Sequence, residues 1–272
     1  MIPQADIIHW RNDHPWQLDN QVEQDLVLSR MLVELYQDEH IRKNLAFRGG
    51  TAIHKLYLTP SARYSEDIDL VQIVPGRIGA TLDRIHAVLD SWLGKPEYVT
   101  TRMASNLFYH FEPESNAALQ LKVKIEINTR EHSAKHPMVT TPFNVDSRWF
   151  EGKCKITTYS IEELLGTKLR ALFQRSKGRD LFDIDYVLRQ GNPDCTKIVE
   201  AFVHYVAEQN RKITARQFRK NLEEKKKDRN FGTDVVPLLR EGINFLPADA
   251  FQRVEDSLIS LLDSAWRDIK LT

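Results

Sequence analysis

The 272-residue chain carries 38 Lys and Arg against 38 Asp and Glu, so its formal net charge is zero, and 42% of its residues are hydrophobic. That balance argues against a protein that coats nucleic acid indiscriminately, and no apolar run approaches the ~20 residues needed to cross a bilayer. Met1 to Trp16 has no signal-peptide pattern, which predicts a cytoplasmic protein, and Cys154 and Cys195 lack a CxxC partner, so neither a disulfide framework nor a zinc site is expected.

Asp19 to Asp38 is predicted as a long leading helix, because Val22, Leu26, Leu28, Met31, Leu32 and Leu35 recur at helical spacing. Leu45-Ala46-Phe47 reads as a short buried strand and Thr51 to Leu58 as the helix after it, with Gly49-Gly50 at the turn. There the backbone can approach a phosphate, the N–H groups and dipole of the helix start favour an anion, and Thr51 is placed to cap the helix and donate to a phosphate. A glycine pair alone marks many tight turns; this one is followed by Ser65-Glu66-Asp67-Ile68-Asp69-Leu70. In an extended strand Asp67 and Asp69 share one face while Ile68 and Leu70 point into the other, buried one. Two carboxylates that close raise each other's pKa unless a divalent cation bridges them, and hard oxygen ligands on a rigid strand suit Mg²⁺. The combination points to nucleotidyl transfer.

After Pro75-Gly76, Ile78 to Leu93 resumes helical periodicity and ends at Gly94. Tyr98 to Glu112 and Ala118 to Asn128 alternate polar with apolar across the turn-like Pro113-Glu114-Ser115-Asn116, which predicts an antiparallel hairpin and a mixed sheet. In the second strand Leu121, Val123, Ile125 and Ile127 form one face and Lys122, Lys124, Glu126 and Asn128 the other, making Glu126 a candidate third carboxylate. His132 and His136 are set aside as loop residues. Arg130 to Gly152 is expected as a long connection and Cys154 to Tyr159 as a short strand.

Ser160 with Glu163 predicts a capping box for a helix whose apolar stripe is Ile161, Leu164, Leu165, Leu169, Leu172 and Phe173. Lys168 falls on that stripe, where an ammonium must snorkel or meet an anion; a phosphate is the expected partner. A second helix opens near Arg179-Asp180-Leu181-Phe182-Asp183, with Asp180 and Asp183 on one face, and the chain is expected to be helical from Thr196 onward. Between Arg211 and Arg229 nine Lys and Arg residues gather against three acids, which is either a solvated helix face or a contact surface for RNA.

Phe47-Arg48-Gly49-Gly50-Thr51, Arg63-Tyr64-Ser65-Glu66-Asp67-Ile68-Asp69-Leu70, Lys122 to Ile127, the Lys168 helix and Arg179 to Asp183 together resemble the AbiEii/AbiGii toxin family of nucleotidyltransferases, with its MenT branch. The resemblance covers about Leu45 to Leu188. It implies an α+β, polymerase-β-like nucleotidyltransferase core over residues 1–158 and a helical C-terminal domain over 159–272 that contributes to the active site. It implies a toxin of a toxin–antitoxin or phage-defence system that uses an NTP and Mg²⁺, with a cognate antitoxin and, as in the MenT branch, the 3′ end of tRNA as acceptor. By motif match Asp67 and Asp69 hold the metal with Glu126 as a further ligand or base, Lys168 engages the phosphates, Asp180 is a required acid, and Ser65 takes the small hydroxyl position. The same scaffold is also compatible with a protein or small-molecule acceptor, or with a non-catalytic module that binds RNA or a partner.

Overall fold

The computed structural model describes residues 2–114 and 120–267, so Ser115, Asn116 and Ala118 of the expected hairpin lie outside the described residues. The chain divides into two compact units: residues 1–133 with 138–158, and residues 134–137 with 159–272.

In the first unit, helices α1 (Gln4–Arg11), α2 (Asp19–Gln37) and α3 (Glu39–Asn44) lead into β1 (Leu45–Arg48), α4 (Gly49–Leu56), β2 (Asp67–Gln72) and α5 (Gly79–Leu93). Strands β3 (Glu97–Thr100), β4 (Ala104–Phe111), β5 (Leu121–Asn128), β6 (Val139–Asp146) and β7 (Glu151–Thr158) follow. Among the described residues they form one seven-stranded mixed sheet of order β3-β4-β5-β2-β1-β7-β6. The pairing that matters for the site is central: β2 runs parallel to β5, with Ile68 opposite Ile125 and Leu70 opposite Ile127. These four side chains are at most 1% exposed. Each contributes about 2 kcal/mol of burial, and a one-residue slip of either strand would throw that strand's two onto the polar face, so the register is strongly held.

Helix α2 lies against β5, β6 and β7 and is buried on nearly every side. Its buried polar residues are all engaged. Asp25 accepts from Trp10 Nε1 at 3.0 Å and from Lys55 Nζ at 2.8 Å, Gln24 donates to the Lys122 carbonyl at 2.8 Å, and Glu23 accepts from the Glu114 amide. The Lys55 ammonium overcomes the cost of burying Asp25 and holds its carboxyl below the ordinary range.

Several expectations are corrected. Tyr98 to Glu112 is two strands, folded at Thr101–Met103 and paired antiparallel. The connection from Arg130 to Gly152 contains β6, an edge strand that carries Pro142 and buries only Val145 fully, so its apolar alternation is faint. Pro is tolerated there because an edge strand has a side on which no N–H is needed. Strand β7 begins at Glu151, ahead of the expected Cys154.

The second unit is built on α6 (Ile161–Gln174), α7 (Gly178–Gln190), α8 (Cys195–Ala207), α9 (Ala215–Lys226), α10 (Pro247–Ser257) and α11 (Leu262–Ala265). Helices α6 and α8 meet at Gly166, where an added Cβ would lie 2.5 Å from the Ala201 Cβ. The capping box of α6 is only half made. Ser160 accepts from the Glu163 amide at 3.2 Å, while the Glu163 carboxylate is buried and accepts from the Lys135 and His136 amides and from the Tyr205 hydroxyl at 2.6 Å. Residues 134–137 belong to this unit through those bonds. The chain is not helical throughout after Thr196: residues 227–246 are mostly turns, around Gly232 and Gly242, with a single 3-10 turn at Val236–Leu238.

Lys225 corrects the reading of the basic stretch as uniformly solvated. It is buried, and its ammonium donates to the carbonyls of Leu172 and Phe173 at the end of α6 and to Asn221. Burial pushes its pKa down from 10.5 to about 8. Between those two values the unfolded chain binds more protons than the folded one at this site, so the contribution of Lys225 to stability rises with pH there. Thermal melts from pH 8 to pH 10.5 should show this rise as a gap between wild type and Lys225→Met that changes with pH; a pH-independent gap would count against it.

Candidate active site

The acids stand on the polar face of the β2–β5 pair. Parallel pairing sets Asp67 opposite Lys124 and Asp69 opposite Glu126, and antiparallel pairing of β1 sets Arg48 opposite Asp69. Four charged side chains from two strands thus share one face with Arg48 beside them. Lys124 Nζ stands 3.0 Å from Glu126 Oε2 and 3.5 Å from Asp67 Oδ2, with the three side chains 25%, 39% and 32% exposed respectively. Arg48 is fastened in turn to Glu131, Nη1 to Oε2 at 2.7 Å.

The electrostatics follow from the crowding. The Asp69 carboxyl is pushed up, first by burial, then by the Asp67 charge and, further off, by Glu126, with Arg48 and Lys124 opposing. Lys124 is held charged: burial works against its ammonium, but Asp67 and Glu126 outweigh it. Three carboxylates thus share the face with Lys124 and Arg48.

Gly49 opens α4 with φ +81°, and a Cβ built on it would lie 2.1 Å from Asp69 Oδ2. The turn therefore needs glycine twice over, for its backbone conformation and because the Asp69 carboxylate lies where a side chain would go. Thr51 does not cap the helix, whose cap position is Arg48. Its buried hydroxyl donates to the Asp67 carbonyl at 2.6 Å and lies 2.7 Å from Ser65 Oγ. It thus pins the start of β2 to α4, and that bond uses the proton expected to serve a phosphate.

Two carboxylates projecting from one strand face, with the upward-shifted Asp69 seated against Gly49, fit a hard divalent cation. The three-acid set is less gathered than the sequence suggests. Among the described residues, no three acidic, His or Cys side chains are clustered closely enough to hold an ion together, and Glu126 is engaged by Lys124. Lys124 was missed as a site residue, although its place two residues before Glu126 puts it on the same face.

The second unit holds its own charge network. Lys168 Nζ pairs with Asp180 Oδ1 at 3.1 Å and Asp183 Oδ2 at 3.0 Å, and both aspartates are fully buried. Arg175 donates from Nε and Nη2 to the two oxygens of Asp180 at 2.7 and 2.9 Å. Burial alone would raise the Asp180 pKa; Lys168 and Arg175 reverse that and hold it low. The anions that meet Lys168 are thus the protein's own carboxylates, and its burial needs no phosphate to explain it. Gly178 at the start of α7 donates to Asp234 Oδ1 at 2.8 Å, fixing the turn that presents Asp180.

Residues 30–256 match the family described as the nucleotidyl transferase AbiEii toxin of type IV toxin–antitoxin systems. The chain belongs to the AbiEii nucleotidyltransferase toxin family. Membership implies an NTP substrate and an antitoxin partner. Its fold is similar to that of MenT4, a nucleotidyltransferase toxin from Mycobacterium tuberculosis, with TM-score 0.72 and 16% identity over 99% of this chain and 91% of that one. It is also similar to JHP933 from Helicobacter pylori, with TM-score 0.56 and 14% identity over 91% of this chain and 94% of that one. At such identities the likeness carries the fold alone. No curated protein matches the chain. No described helix of this AbiEii chain is long and apolar enough to cross a membrane.

Gly49→Ala should move the Asp69 carboxylate and strain the turn by about 1–2 kcal/mol. Nucleotide-transfer activity should then fall far more than the melting temperature does. Equal activity in the variant would show that Asp69 does not depend on this turn.

Proposed function

We propose that the chain transfers a nucleoside monophosphate from an NTP to an RNA hydroxyl, at the 3′ end of tRNA, with Mg²⁺ held by Asp67 and Asp69. The observation that carries this reading is the register that sets Glu126 opposite Asp69 and brings the acids onto one face beside the Gly49 turn. In the reaction an RNA hydroxyl oxygen bonds to the α-phosphorus, the bond to the β-phosphate bridging oxygen breaks, and pyrophosphate leaves. The ion, when bound, supplies charge to the phosphate oxygens and lowers the pKa of the attacking hydroxyl.

The chain's own residues do the rest. Asp67 and Asp69 supply oxygen ligands from a strand whose register the buried isoleucines and Leu70 fix. Glu126 is the third acid, as a further ligand or as the acceptor of the hydroxyl proton. Gly49 and Gly50 present backbone at the start of α4, where N–H groups favour a phosphate, and Thr51 and Ser65 hold that turn against β2. For Lys168 and Asp180 the support is their place in the family's motifs: Lys168 contacts nucleotide phosphate, and Asp180 orients it. RNA is favoured as the acceptor over a protein or small molecule by the exposed cations Arg211, Lys212, Arg216, Lys220, Lys227 and Arg229.

Incubating the purified protein with each labelled NTP, Mg²⁺ and total tRNA should transfer label to tRNA in a salt-sensitive way. Asp69→Asn should cut transfer by roughly a hundredfold or more. No transfer with any of the NTPs would overturn the reading, and transfer to protein in preference to tRNA would overturn the acceptor.

A further inference from the structure

Lys124 has no part in the chemistry above, yet it stands at the centre of the acids that the chemistry needs. We propose that Lys124 is a resident counter-cation of the acid cluster: it competes with the divalent ion for Asp67 and Glu126 and is displaced when the ion binds. The proposal rests on the reading of Asp67 and Asp69 as metal ligands.

Three observations support it. Its ammonium lies between the two strands' acids, 3.0 Å from Glu126 and 3.5 Å from Asp67, so an ion drawing on those oxygens must take them from Lys124. Its side chain is a quarter exposed, on a flexible four-carbon stem, so it has somewhere to go. Arg48 and Lys168 lack that freedom: Arg48 is tied to Glu131 at 2.7 Å, and Lys168 sits 9% exposed between two fully buried carboxylates. An ammonium held by one hydrogen bond and one looser ion pair is the cation that a doubly charged ion can replace.

The competing account makes Lys124 a positioning residue that gathers the carboxylates for the ion. The two accounts differ in sign. Removing a competitor tightens metal binding, whereas removing an organiser weakens it.

The test is Mn²⁺ binding to the nucleotide-free protein, read from the electron paramagnetic resonance signal of free Mn²⁺. Wild type is compared with Lys124→Gln, Lys124→Met, Lys124→Arg and the double variant Asp67→Asn/Asp69→Asn. Lys124→Gln should tighten binding roughly tenfold, the effect of removing one nearby positive charge from a divalent site. Lys124→Met carries the same expectation if the glutamine variant does not fold, and Lys124→Arg, which keeps the charge, should stay near wild type. Unchanged or weaker binding in a folded, uncharged variant overturns the proposal, while loss of binding in the double variant leaves the metal reading standing. If the double variant binds Mn²⁺ as wild type does, the metal reading itself fails and the proposal with it.

Discussion

Asp67, Asp69 and Glu126 cannot share one face of two neighbouring strands, all charged, without cations among them, and much of the first unit is arranged around that constraint. The apolar underside of the pair, Ile68, Leu70, Ile125 and Ile127, fixes the register and so forces the acids together on the upper side. Slipping one strand by a residue would part Glu126 from Asp69 but expose that strand's two core side chains, at a cost of roughly 4 kcal/mol. What remains is to supply positive charge and space. Arg48 and Lys124 give the first, and the missing Cβ of Gly49 gives the second. Arg48 stands opposite Asp69 in the β1–β2 pairing, and its bond to Glu131 ties the guanidinium down.

The parts of this arrangement that were legible in the sequence are the local ones. Period-two alternation places Asp67 with Asp69 and Glu126 with Lys124, and helical spacing gives α2 almost to the residue. That β2 would lie beside β5 was not legible, because pairing between strands some fifty residues apart is set by the whole sheet, not by either segment. Strand β6 was hidden because an edge strand with one fully buried residue and a proline has little pattern to show. Lys225 was hidden inside a run of charge, although Phe218, Leu222 and Lys225 sit at helical spacing and the first two are core residues, a signal that could have turned that lysine inward. For Lys168 the partners inside the chain were the part left unread. Its burial follows from the apolar stripe, and Asp180 and Asp183, which share a face of the next helix, meet its ammonium at 3.1 and 3.0 Å.

The two charge networks differ in a way that bears on what each can do. In the helical unit Asp180 receives three hydrogen bonds from two cations and is held low, so its charge is already compensated and an added cation would gain little from it. Its use is mechanical: with Asp183 it fixes where the Lys168 ammonium points. On the sheet the balance runs the other way. Asp69 is pushed upward, and the lysine nearest Asp67 and Glu126 is partly exposed and loosely held. A carboxylate raised by burial and by a neighbouring charge gains when a cation arrives, because the cation offsets both. The enclosed network suits holding a group in place, and the partly exposed one suits exchange of its cation. That difference follows from how each lysine is held: Lys168 is enclosed by two fully buried carboxylates, whereas Lys124 is partly exposed beside two partly exposed ones.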